Sequence, residues 1–126
     1  MSQLQSLVSY FENNISKHNR VERCERRVSA NEDEYIYEVH LKDNLPPVRV
    51  YICDAYEYGA GDYAARPAVL AAGDFILVDS FGPGADTTVV EQARRDCIGV
   101  GPFRKLFGAL NSRDVWKYRM PAEKAK

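Results

Sequence analysis

The chain has little to offer redox, metal or covalent chemistry. Its 126 residues include three cysteines, two histidines, two methionines and one tryptophan. Cys24, Cys53 and Cys97 form no Cys-x-x-Cys pair, and their spacing with His18 and His40 does not suit a zinc site. An odd number of scattered cysteines predicts free thiols and a reducing, cytoplasmic setting. The Met1-Ser2-Gln3 start has neither a basic segment nor an apolar stretch behind it, so no secretory leader is expected. Apolar runs stop far short of the ~20 residues that span a bilayer, which predicts no membrane partner. Neither Gly-x-Gly-x-x-Gly nor a phosphate loop ending in Gly-Lys-Ser/Thr occurs. Ser80 and Cys97 have no histidine close in sequence to make either a nucleophile.

What is present is ordinary for a soluble fold: 45% hydrophobic and 28% charged residues. The length suits one domain, expected over residues 1–120 with a frayed tail at 121–126. The net charge of −1 hides a polarity. Residues 1–29 carry +2, residues 30–91 carry −9, residues 92–100 carry +1 and residues 101–126 carry +5. An acidic middle between basic ends argues against a uniformly basic nucleic-acid binder.

Leu4, Leu7, Val8, Phe11 and Ile15 make one helical stripe, with a capping box at Ser2–Gln5 and a stop at Asn19. Residues 21–28 read as a charged edge strand, since charge protects an exposed edge. Tyr35, Tyr37, Val39 and Leu41 alternate with Ile36, Glu38, His40 and Lys42, which predicts a strand buried on one face. Val48, Val50 and Ile52 restart the alternation after Pro46-Pro47, so residues 34–53 form an expected antiparallel hairpin. Pro67 to Ala72 reads as a short helix stopped by Gly73. Phe75-Ile76-Leu77-Val78 is apolar on both faces, hence an interior strand. Thr88 to Glu91 is a second capping box, for a helix that Gly99 would close. Pro102 opens a last helix with Phe103, Leu106, Phe107 and Leu110 on one side. Val115, Trp116 and Tyr118 then dock a C-terminal arm.

The expected fold is therefore α/β (or α+β), one domain in the order α-β-β-β-α-β-α-α. A small mixed sheet of about four strands lies between helices. The first six elements resemble, in order alone, the core of restriction-endonuclease-like nucleases. That family's pattern is an acidic residue on one strand and (Asp/Glu)-x-Lys on the next. Here the residues two before Lys17, Lys42, Lys105, Lys117, Lys124 and Lys126 are Ile15, His40, Phe103, Val115, Ala122 and Lys124, so the signature is absent.

The stretch 48–86 carries the site candidates. Two apolar runs end in Asp54 and Asp79, with room between them for a helical crossover. Ligands of open α/β sheets bind at such strand ends. Asp54, Asp79 and Glu57, with Asp62 in support, form a candidate oxygen site for Mg²⁺ or Mn²⁺. The competing reading is that these carboxylates cap turns and helices, with Asp62 and Asp86 at cap positions. Tyr51, Tyr56, Tyr58 and Tyr63 crowd one stretch around Gly59 and Gly61. Tyr56, Tyr58, Asp62, Tyr63 and Arg66 are the candidate binding residues, since loops bearing aromatics favour recognition. Phe81-Gly82-Pro83-Gly84 offers a turn but no phosphate motif, and Asp86 would repel an anion. Lys17, His18, Arg20, Arg23, Arg26 and Arg27 form a basic group interleaved with Glu22 and Glu25, a pattern that favours internal ion pairs. His40 lies near Glu38 on a polar strand face.

Two functions follow as expectations. The first is a binding or assembly module that uses loop 54–63 and a sheet edge, with a homo-oligomer or another protein as partner. The second is a metal-dependent phosphodiesterase or nuclease that uses Asp54 and Asp79 as ligands, with nucleic acid as partner.

Overall fold

Alternation along the hairpin decides the architecture. In the computed structural model, which describes residues 3–27, 34–79 and 84–120, helix α1 (Gln3–Ile15) leads into strand β1 (Val21–Arg27). Strands β2 (Tyr35–Leu41) and β3 (Val48–Cys53) follow. A short strand β4 (Glu57–Tyr58) and a one-turn helix α2 (Ala60–Ala64) precede β5 (Phe75–Val78). Then come β6 (Gly84–Ala85), α3 (Thr87–Arg95), β7 (Gly99–Gly101), α4 (Phe103–Ala109) and a 3₁₀ turn at Val115–Lys117. The main sheet has five strands in the order β1-β2-β3-β5-β7. The β1–β2 and β2–β3 pairs are antiparallel; β3–β5 and β5–β7 are parallel. β4 and β6 make a separate parallel pair.

This is the expected α/β domain with a mixed sheet; the main sheet has one strand more than foreseen, and the β4–β6 pair was not foreseen. β1 is the edge, 34–53 is an antiparallel hairpin, and β5 lies between two neighbours. A helical crossover joins β3 to the parallel β5, as the two aspartate-ended runs predicted. Val50, Ile52, Phe75 and Leu77 face α1 and α4, where they meet Val8, Phe11, Ile15, Leu106 and Leu110. Ile76, Val78 and Val100 face the other way, onto Tyr58, Tyr63, Leu70, Val89 and Ala93.

Several boundaries differ from the sequence reading. The first helix ends at Ile15, before Asn19, and Leu4 and Leu7 are only partly buried beside the core. The cap residue Ser2, residue Val28, most of the Phe81–Gly84 turn and the tail 121–126 lie outside the described residues. Ile36 is buried on the strand face read as polar. Residues 67–72 form turns, and the crossover helix is Ala60–Ala64 instead. There Asp62 accepts the Gly59 N–H at 2.9 Å, satisfying one orphan donor of the helix start. Asp74 holds the 67–73 segment out of helix. Its buried carboxylate takes the N–H groups of Ala71 at 2.8 Å and Arg49 at 3.0 Å. The cap of α3 is Asp86, which accepts from Thr88 N–H at 2.7 Å. That helix is stopped by Cys97, at a left-handed φ of 62°, and Ile98 N–H reaches back to Ala93 at 2.8 Å. Gly99 starts a strand rather than closing the helix.

Candidate interaction surface

The strand-end aspartates come out in register. Cys53 pairs with Val78, so Asp54 and Asp79 follow at matched positions on adjacent parallel strands. Their side chains then part in role. Asp79 accepts the Phe103 N–H at 3.0 Å. Pro102, the N-cap of α4, has no side-chain acceptor to offer, and Asp79 supplies one from β5. Asp54 and Glu57 are exposed, and Asp62 serves the start of α2. Among the described residues no three His, Cys, Asp or Glu side chains converge as a metal-holding group.

The tyrosines of the 54–63 stretch divide between interior and surface. Tyr56 is 71% exposed, whereas Tyr58 and Tyr63 are buried in the core under α3. Among the described residues the Tyr58 hydroxyl has no hydrogen-bond partner, and burial pushes its ionisation upward. Tyr63 donates to Asp96 at 2.6 Å. Burial, then that hydrogen bond, raises its phenol to about 12, against the pull of Arg66. The Arg66 guanidinium lies 4.1 Å above the Tyr63 ring and donates to the Tyr63 carbonyl at 2.9 Å. Between α2 and α3 a cleft of about 350 Å³ is lined by Tyr63, Arg66, Thr88, Gln92 and Asp96, with three apolar neighbours. Tyr63 and Arg66 therefore meet at one cleft, Tyr58 lies beneath the surface, and Tyr56 stands apart as an exposed ring.

Sequence reasoning missed the larger feature, on the sheet itself. α2 and α3 pack on the β5–β7 half of one sheet face. On the β1–β3 half of that face the rows alternate in charge. Arg23, Glu25 and Arg27 stand on β1 opposite His40, Glu38 and Ile36 on β2, and Arg49 of β3 stands opposite Glu38. Glu38 meets Arg27 at 3.5 Å and Arg49 at 3.9 Å, and Arg49 reaches Asp74 at 3.7 Å. His40 lies 3.9 Å from both Glu38 and Glu25. Arg23 holds Glu25 at 2.9 Å. The signal was available: charges two apart on each strand must share a face.

Among the described residues β1 has one strand neighbour, and its Glu22, Arg23, Glu25, Arg26 and Arg27 are exposed. Cys24, half-buried on the α1 side, is a free thiol. Burial, then Glu12 and Glu25, raises its ionisation to about 11. Cys53 and Cys97 are free as well. Among the described residues no helix is long and apolar enough to cross a membrane. No family model, curated protein or solved structure matches the chain.

Proposed function

We propose that the chain is a binding and assembly module that acts by strand addition at the outer edge of β1, with a second copy of itself as partner. One observation carries this reading: β1 is a seven-residue edge strand with an exposed outer row. Such a row of backbone donors and acceptors is a template for another strand. Tyr56, the exposed aromatic of the 54–63 loop, adds a contact beyond the edge. The three free thiols support a reducing, cytoplasmic setting. The test is nuclear magnetic resonance of the backbone amides over a wide range of protein concentration. Shifts that grow with concentration along 21–27 are the expected result. Shifts confined to other elements, or none at millimolar protein, would sink the reading.

A metal-dependent phosphodiesterase is the second reading, favoured by the matched strand-end positions of Asp54 and Asp79. Two carboxylates at one sheet end suit Mg²⁺ or Mn²⁺. Asp79 would have to serve the metal and the Phe103 N–H together. Calorimetry decides it: Mn²⁺ uptake lost in Asp54→Asn supports the site, and no uptake at millimolar metal removes it.

A further inference from the structure

The free edge of β1 bears a charge sequence that is complementary to itself about one residue. Centred on Cys24, the strand reads Glu22-Arg23-Cys24-Glu25-Arg26. Let a second copy pair with it antiparallel, the two copies related by a two-fold axis at Cys24. Arg23 then faces Glu25 of the second copy, and Glu22 faces Arg26 of the second copy. Each pair occurs twice by symmetry.

We propose that two copies join β1 to β1 antiparallel in this single register, through the alternating Arg and Glu rows that flank Cys24. The proposal rests on the strand-addition reading above and adds its register and its specificity-determining residues. Registers that keep the two apolar cores on the same side of a joined sheet differ by steps of two residues, because side chains alternate faces. One step in one direction sets Arg23 against Arg23 of the other copy. One step in the other direction sets Glu25 against Glu25 and Arg23 against Arg27. Like charges directly opposite are destabilising, so both neighbouring registers are penalised.

The monomer leaves a matching demand. On β1–β2, Glu25 stands directly opposite Glu38, a like-charge pair. Glu38 has Arg27 and Arg49, whereas Glu25 has Arg23 beside it on its own strand and His40 at 3.9 Å. The proposed register brings a second arginine to the open side of Glu25. Arg23 and Glu25 of the two copies then form a closed square of alternating sign on one face. On the other face, Arg26 packs over the Tyr35 ring at 4.3 Å. The β1 ladder shifts register between Val21 and Arg23, whereas Arg23 to Arg27 pair regularly. The axis and the Arg23–Glu25 pairs lie within the regular part.

Cys24 makes the register directly readable. Opposite residues of an antiparallel pair have Cα atoms about 4.5–5.5 Å apart, within the range a disulfide spans. Diamide, which takes up the two protons and two electrons released, is expected to give a covalent dimer. Peptide mass mapping should find it bridged from Cys24 to Cys24. The half-buried, high-pKa thiol makes this slow at neutral pH and faster in mild alkali. Sedimentation equilibrium supplies the second measurement. Arg23→Glu should raise the dimer dissociation constant about tenfold or more, because each copy trades an attraction for a repulsion. Arg23→Glu with Glu25→Arg should restore it, and added salt should weaken the wild-type dimer. A dimer that is indifferent to the single swap, or is bridged through Cys53 or Cys97, overturns the register while strand addition stands. A chain that stays monomeric at millimolar protein, without amide shifts along 21–27, overturns both.

Discussion

Replacing Gly99 by Ala tests the packing of the sheet centre most sharply. Register places Gly99 of β7 opposite Phe75 of β5, whose ring is fully buried. A Cβ on Gly99 would lie 2.5 Å from Cδ2 and 2.8 Å from Cε2 of that ring. Carbon atoms pack best at about 3.5–4.0 Å, so the ring or the strand must move by about 1 Å. Phe75 has Val50 on its other side, and α1 and α4 lie above it, so the ring has nowhere to retreat. Overpacking of this kind costs about 1–3 kcal/mol. Against it stands the lower backbone entropy of Ala in the unfolded chain, worth about 0.4–1 kcal/mol. The central values of these two ranges, about 2 and about 0.7 kcal/mol, leave a net loss of about 1.3 kcal/mol. Urea denaturation of the wild type, Gly99→Ala, Phe75→Leu and the double variant forms a cycle. The Ala substitution should cost less when Phe75 is already Leu, because the clashing ring edge is gone. A neutral or stabilising Gly99→Ala would show that β7 does not sit against Phe75 as described.

Other expectations follow from buried groups. Leu77→Ala should cost about 2–5 kcal/mol, since the side chain is fully buried between β3 and β7; a urea-derived loss below about 1 kcal/mol would mean that β5 is not an interior strand. Asp74→Ala should cost about 3 kcal/mol, because it strands two backbone N–H groups and the Arg49 partner; an unchanged denaturation midpoint would contradict the clasp. Stability should fall in alkali. Cys24 is raised from 9.0 to about 11, and Tyr51 and Tyr63 from 10.0 to about 12. The folded chain holds these protons more tightly than the unfolded one, so stability drains away between about pH 9 and pH 12. Tyr63→Phe should flatten the upper part of that curve in pH-dependent urea melts, and an unaltered slope would refute the Tyr63 contribution.

The legible part of the fold was the part with clean periodicity. Alternation gave β2 and β3, and the doubly apolar run gave β5. β7 was hidden because it is three residues long and two of them are glycine, the residue least suited to signal a strand. Both glycines are there for space. A Cβ on Gly101 would fall 2.5 Å from the buried Lys105 side chain. The crossover helix was misplaced because Pro67 is a strong local start signal, yet Asp74, distant from it in the turn, takes the N–H that a helix would use. The matched ends of β3 and β5 were readable from the two aspartates. That Asp79 serves the start of α4 was not, because the two meet only through tertiary contact. Of the tyrosine stretch, proximity in sequence said nothing of which rings turn inward, and Tyr58 and Tyr63 do. The charged half-face was written in the two-residue spacing of each strand, but only the strand register joins those rows into a lattice.

The uneven cover on the sheet has a consequence for how the molecule breathes. β5 is walled by side chains on both faces and by strands on both edges, and all four of its residues are buried. β1 is covered on one face, paired on one edge and exposed along most of its length. Local opening requires only the contacts of the segment that opens. The cost of freeing an amide to exchange with deuterium should therefore climb step by step from β1 through β2 and β3 to β5, a gradient built across the sheet rather than along the chain. Capture of the outer strand by a second copy would raise the lowest step of that gradient first, joining two separate ladders into one cooperative unit.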